Sequence, residues 1–127
     1  MHLVLSCFGG NKESLWDDRS VDTLLRVLVK RIGMTEIPGT HVVKTIRPAK
    51  SQDGGVSGMV MIEESHIAIH TFPVVGEAMV EIASCKDWRD RKDETVAYVM
   101  DFYGFERVHV EDVQVLITLP SARGILA

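Results

Sequence analysis

"GVSGMVMIEESHIAIHTFP", residues 55–73, holds two apolar runs at strand spacing, broken in the middle by Glu63, Glu64, Ser65 and His66. Successive side chains of an extended chain point to opposite faces, so a strand covered on one face alternates apolar and polar residues. Val56, Met59 and Met61 before the break and Ile67 and Ile69 after it fit two such strands. The block between them, with His70 further along, is the part of the chain that needs a chemical reason.

Outward from this stretch, residues 2–8 read as a strand, followed by the loop "GGNKESLWDD". Asp18 or Ser20 can cap a helix whose apolar residues Val21, Leu24, Leu25, Leu28 and Ile32 recur at helical spacing, with Gly33 as its stop. A strand is expected over 40–46, then the turn-rich loop "RPAKSQDGG", then strands near 56–63, 66–71 and 77–83. Asp90 or Asp93 opens a second helix that runs through about Phe102 to Gly104, and a last strand falls within 106–119. The order is read as β-α-β-β-β-α-β. The central connections are too short for parallel crossovers, so the fold class is α+β: a two-layer sandwich with helices on one face of a mainly antiparallel sheet.

The 127 residues make one domain, and 46% of them are apolar, enough for a core. A net charge of −4 without a basic run argues against nucleic acid as partner. No apolar run approaches bilayer length, so no membrane is expected, and the start "MHLVLSCFGG" lacks the basic region of a signal peptide. Cys7 and Cys85, without CxxC spacing, read as free thiols of a reducing cytoplasm rather than as a disulfide.

Several chemistries compete for the central block. His66 and His70 share a strand face and with Cys85 could bind zinc, but no second CxxC or HxxxH supports a site and no metal is assigned. A Ser-His hydrolase lacks its nucleophile-elbow pattern in "GMVMIEES". A plain core strand would account for any lone histidine. The combination does more: "GVSG" (Gly55–Gly58), "ESH" (Glu64–His66), "IHTFP" (Ile69–Pro73) and Cys85 resemble the bacterial and archaeal S-adenosylmethionine decarboxylase proenzyme family. Ser57 lies eight residues before Ser65, His70 five after it and Cys85 twenty after it, as the family spacing requires.

The resemblance implies a pyruvoyl-dependent decarboxylase of polyamine biosynthesis that cuts its own backbone between Glu64 and Ser65. Chains of 64 and 63 residues would stay associated. Ser65 would become the pyruvoyl cofactor, whose ketone forms a Schiff base with the substrate amine and accepts the electrons released with carbon dioxide. By position, Ser57 resembles the hydroxyl that supports processing and His70 the base that removes the Cα proton, a task suited to histidine. Cys85 resembles the acid that reprotonates the product carbon, and Glu64 would border the substrate cavity. The family pairs its protomers, and a sheet with helices on one face leaves the other in need of cover, so a homodimer is expected.

Two family features are missing. The aromatic that stacks on adenine, six residues before the GVSG serine, is Ser51 here. The ribose-binding glutamate, four residues after the processing histidine, is Val74. Phe8, Trp16 or Phe72 could replace the ring and Glu77 the acid. The departures tilt the expected substrate, an amino-acid-type small molecule, toward arginine or ornithine, with Asp17, Asp18, Glu77 or Glu81 to meet the distal cation. S-adenosylmethionine is the alternative, and an uncleaved non-catalytic partner subunit a further one.

Overall fold

The computed structural model describes residues 1–47 and 54–115. Its elements are β1 (His2–Phe8), α1 (Lys12–Leu15), α2 (Asp18–Arg31), β2 (Val42–Ile46), β3 (Gly55–Ile62), β4 (Ser65–Phe72), β5 (Glu77–Ala83), a 3₁₀ turn (Arg89–Arg91), α3 (Lys92–Tyr103) and β6 (Arg107–Val113). Four strands, not the three of the β-α-β-β-β-α-β order, separate α2 from α3. The six strands form one sheet in the order β2-β3-β4-β5-β1-β6. Every neighbouring pair is antiparallel. Residues 116–119, read above as the end of the last strand, lie outside the described residues.

Local chemistry sets the helix ends. Asp17, one residue ahead of the expected cap, accepts from the Arg19 N–H at 3.0 Å. Ser20 instead donates to the carbonyls of Ser14 and Asp17 and meets the Tyr103 hydroxyl. The unforeseen α1 is a single turn capped by Asn11, which accepts from the Ser14 N–H at 2.9 Å. Gly104 closes α3 in the left-handed conformation that glycine enters without steric cost. The start of α3 has no side-chain cap, and Asp90 falls in the 3₁₀ turn. Among the described residues no helix is long and apolar enough to cross a membrane.

The two faces of the sheet differ. Leu3, Leu5, Val60, Ile67, Ile69 and Val80 are fully buried beneath Leu24, Leu25 and Leu28 of α2 and Val99 of α3. The strand pleat sends the alternate residues to the opposite face, where Val42, Ile46, Met59, Met61, Phe72 and Val113 are each 37–49% exposed. These side chains have no apolar cover from the described residues of the chain itself.

One close approach holds the central hairpin in register. A Cβ added at Gly55 would sit 1.9 Å from the Thr71 carbonyl oxygen. The buried Thr71 hydroxyl accepts from the Val56 N–H and donates to the Leu15 carbonyl, tying α1 to β3 and β4. Gly55→Ala is expected to cost about 3 kcal/mol, because backbone has to move to admit the methyl group. A denaturant titration checks it by a lowered midpoint at an unchanged slope.

Candidate active site

β3 and β4 form a hairpin that pairs Ile62 with Ser65 and Ser57 with His70. Its corner is the two-residue turn Glu63–Glu64. Glu64 has φ +64°, the one positive φ of a non-glycine residue among the described residues. For a side chain as large as glutamate this costs about 1–2 kcal/mol, held in place by the surrounding hairpin. The strain therefore sits on the acyl side of the Glu64–Ser65 peptide bond.

The Cys85 thiol donates to the Glu64 carbonyl oxygen at 3.2 Å. A donor on that oxygen polarises the carbonyl and meets negative charge that grows there under nucleophilic attack. Beside it opens a cavity of about 730 Å³ lined by Glu64, Ser65, His66 and Cys85, with Asp87 and Asp112 also on its wall. No sequence pattern marked those two aspartates; the strand order brings Asp112 there from β6. Glu64, Ser65 and Cys85, singled out by spacing, thus share one wall. Ser65 attached to a polarised, strained carbonyl fits the generation of a pyruvoyl group.

Ser57 and His70 are also together, Oγ to Nδ1 at 2.8 Å, half-buried on the face away from the helices. They do not line the cavity of Ser65. His70 is five residues along β4, which at about 3.3 Å per residue puts it roughly 16 Å from Ser65. The spacing that marked one cluster places its residues in two separate groups along the hairpin.

His66 pairs with Glu81 of β5, Nε2 to Oε1 at 2.5 Å, and the other Glu81 oxygen is 3.5 Å from His2 Nε2. The His66 hydrogen bond, against the opposing effect of burial, and the charges of both histidines hold the Glu81 carboxyl below its usual range. Among the described residues no three His, Cys, Asp or Glu side chains converge as a metal site. His66, His70 and Cys85 each have a different partner.

Apart from Glu64, the aromatic and acidic residues selected for substrate contact do not line this cavity. Arg107 covers the Phe8 ring at 4.5 Å and Arg47 covers Trp16 at 4.2 Å. Glu77 begins β5, pairs with Phe72 and is half-buried. None of the three lines the cavity. Asp17 is a helix cap and Asp18 is exposed. Glu81 is engaged by histidines, and Ser51 lies outside the described residues.

The thiols are both free and differ in environment. Cys7 is fully buried, and burial pushes its pKa up to about 12. Cys85 is exposed. Since the thiolate is the nucleophile, iodoacetamide on the native protein is expected to label Cys85 alone, with Cys7 reacting only after denaturation. Peptide mapping of the two alkylation patterns checks this.

Residues 1–115 match the family model described as S-adenosylmethionine decarboxylase. The S-adenosylmethionine decarboxylase proenzyme of Methanococcus vannielii is 30% identical over 113 residues, covering 89% of this chain and 86% of that protein. The proenzyme of the same name from Pyrococcus furiosus is 26% identical, over 89% of this chain and 76% of its own. The crystal structure of the adenosylmethionine decarboxylase from Aquifex aeolicus superposes with a TM-score of 0.71 at 21% identity, covering 93% of this chain and 94% of that one.

Proposed function

This chain belongs to the S-adenosylmethionine decarboxylase family, and we propose that it is a self-processing, pyruvoyl-dependent decarboxylase that cuts itself between Glu64 and Ser65 and acts on S-adenosylmethionine. Its single domain, residues 1–127, then consists of two associated chains of 64 and 63 residues. The observation that carries the reading is the left-handed Glu64 with the Cys85 thiol on its carbonyl.

The residues divide the work as follows. Ser65 Oγ attacks the Glu64 carbonyl carbon, and the Cys85 S–H stabilises the oxygen as it gains charge. The C–N bond breaks, which frees the amine and leaves an ester between Glu64 and Ser65. A histidine then removes the Ser65 Cα proton, the ester C–O bond breaks, and Glu64 keeps the carboxylate. The remaining enamine tautomerises to an imine, and water releases ammonia to leave the ketone. That pyruvoyl ketone supplies the electron sink for decarboxylation, which no ordinary side chain offers. Cys85, already at the cavity wall, protonates the product carbon.

His70 and Ser57 reach Ser65 through a second copy of the chain. Their own Ser65 is roughly 16 Å away along an extended strand. They sit instead on the apolar open face with Met59, Met61 and Phe72. Packing two such faces about a twofold axis across the strands lays the Ser57–His70 end of one copy over the Ser65 cavity of the other. Both sites of a homodimer are then complete. Two free thiols suit a reducing cytoplasm.

The preference for arginine or ornithine drawn from Ser51 and Val74 is corrected here. The relatives above are named for S-adenosylmethionine, including one at 30% identity over 89% of this chain. Glu77 supplies the carboxylate that Val74 lacks. It lies on the same face as His70, one pleat further along, where His70 pairs Met79 and Phe72 pairs Glu77. In the dimer Glu77 would therefore face the same cavity as His70, and Phe72 lies opposite it. Carbon dioxide release from carboxyl-labelled S-adenosylmethionine, arginine and ornithine, run side by side, tests the assignment. Release from S-adenosylmethionine is expected; release from either amino acid alone would overturn it.

A further inference from the structure

Cleavage at the Glu64–Ser65 bond creates a mechanical problem that the uncut chain does not have. In the uncut chain residue 65 is held from both sides, by the Glu63–Glu64 turn and by its pairing with Ile62. Cutting removes the turn's covalent link, and conversion to a pyruvoyl group removes the residue 65 N–H, its one backbone donor. The ladder between β4 and β5 begins only at His66 opposite Ala83. The reacting carbonyl would then hang one residue beyond the first paired position of a free chain end.

Three side chains meet the problem at that position. His66 and His2 both lie opposite Ala83 from its two sides, and Glu81 is one pleat below, opposite Ala68 and Val4. Glu81 Oε1 holds His66 Nε2 at 2.5 Å while Oε2 stands 3.5 Å from His2 Nε2. That His2 nitrogen is buried without a hydrogen-bond partner, so it has nowhere else to turn. Glu81 thus spans three strands, β4, β5 and β1, and its tightest contact is to the residue adjoining the cofactor position.

We infer that Glu81, backed by His2, is a positioning residue that clamps His66 and so fixes the free end of β4 after self-cleavage. The inference rests on the self-cleaving reading above. A charge-assisted hydrogen bond is directional enough to hold an imidazole, and through its backbone the adjoining group, in one orientation. The pair is half-exposed, where such contacts add little to global stability. Its effect is expected in the geometry of the reaction: misplacement by an ångström costs up to about 10²-fold in rate.

The test compares the full-length parent protein with Glu81→Gln, His66→Gln and the double variant. Intact mass reports cleavage, steady-state kinetics the rate, and the mass of the second chain after turnover the fraction ending in alanine. Alanine forms when the proton goes to the cofactor carbon instead of the product carbon. The substrate nitrogen then stays on residue 65 and water releases the rest of the substrate as an aldehyde. All three variants are expected to cleave, with kcat down about tenfold, KM within about threefold, and the alanine-ended fraction raised. The double variant should be no worse than either single, because the two residues act as a unit. A cleaved Glu81→Gln with parental kcat and alanine fraction would overturn the clamp. So would effects that multiply in the double variant, or a Glu81→Gln that fails to cleave, since Glu81 would then serve the precursor. An uncleaved parent would instead overturn the reading beneath it.

Discussion

Ser65→Ala leaves the chain in one piece and without decarboxylase activity. The substitution removes one oxygen from a half-buried residue at the start of β4, so the hairpin and its pairing with Ile62 survive. What disappears is the nucleophile. Cys85 still donates to the Glu64 carbonyl and Glu64 keeps its left-handed backbone, but no atom is left to attack. Residue 65 cannot become a ketone either, so the loss carries through to substrate turnover. Gel electrophoresis should show one full-length band where the parent shows two, with carbon dioxide release at background. An unchanged circular dichroism spectrum would assign the loss to chemistry.

His70→Ala is expected to stall processing one step later. Attack by Ser65 needs no Cα proton transfer, so the ester can form; elimination does need it, and a base near neutral pH is then missing. Hydroxylamine, which cleaves esters and spares amides, should split the His70→Ala protein at residue 65 and leave Ser65→Ala intact. The two variants together test where the base comes from. Each protomer places its Ser57–His70 pair roughly 16 Å from its own Ser65, too far for proton transfer. In a mixed dimer, the intact Ser65 of a His70→Ala chain would meet the intact His70 of a Ser65→Ala chain. Co-refolding the two is expected to restore cleavage of the His70→Ala chain alone, in about half of a statistical population, the mixed dimers. Subunits shown to mix without regaining cleavage would confine the site to one chain.

The hairpin was legible in sequence because apolar alternation and turn residues are local signals. The register was not: strands ending at 63 and resuming at 66 would set Phe72 opposite Ser57, whereas the turn falls one residue earlier, at Glu63–Glu64, and sets His70 there. The separation of that pair from Ser65 was legible too, since five residues of strand have a fixed length. Four residues that share a chemical role invite reading as one cluster, yet strand geometry divides them.

Other features lay beyond local signals. That Glu64 takes a positive φ depends on the corner geometry of the hairpin, which glutamate does not favour. The Glu81 contacts with His66 and His2 depend on β1 inserting between β5 and β6, a long-range ordering absent from any local pattern. Phe8 and Trp16 were selected by residue type, and type does not reveal that Arg107 and Arg47 cover their rings. Asp17 was selected by type as well, and type does not reveal that an aspartate ahead of a helix serves as its cap.

Self-cleavage at one peptide bond is the claim on which the rest depends, and the intact mass of the purified protein under denaturing, reducing conditions tests it most directly. Two species are expected, residues 1–64 ending in a free carboxylate and residues 65–127 beginning with a pyruvoyl group and blocked to N-terminal sequencing. One species with the mass of all 127 residues would contradict the account and leave a non-catalytic partner subunit as the reading of this chain.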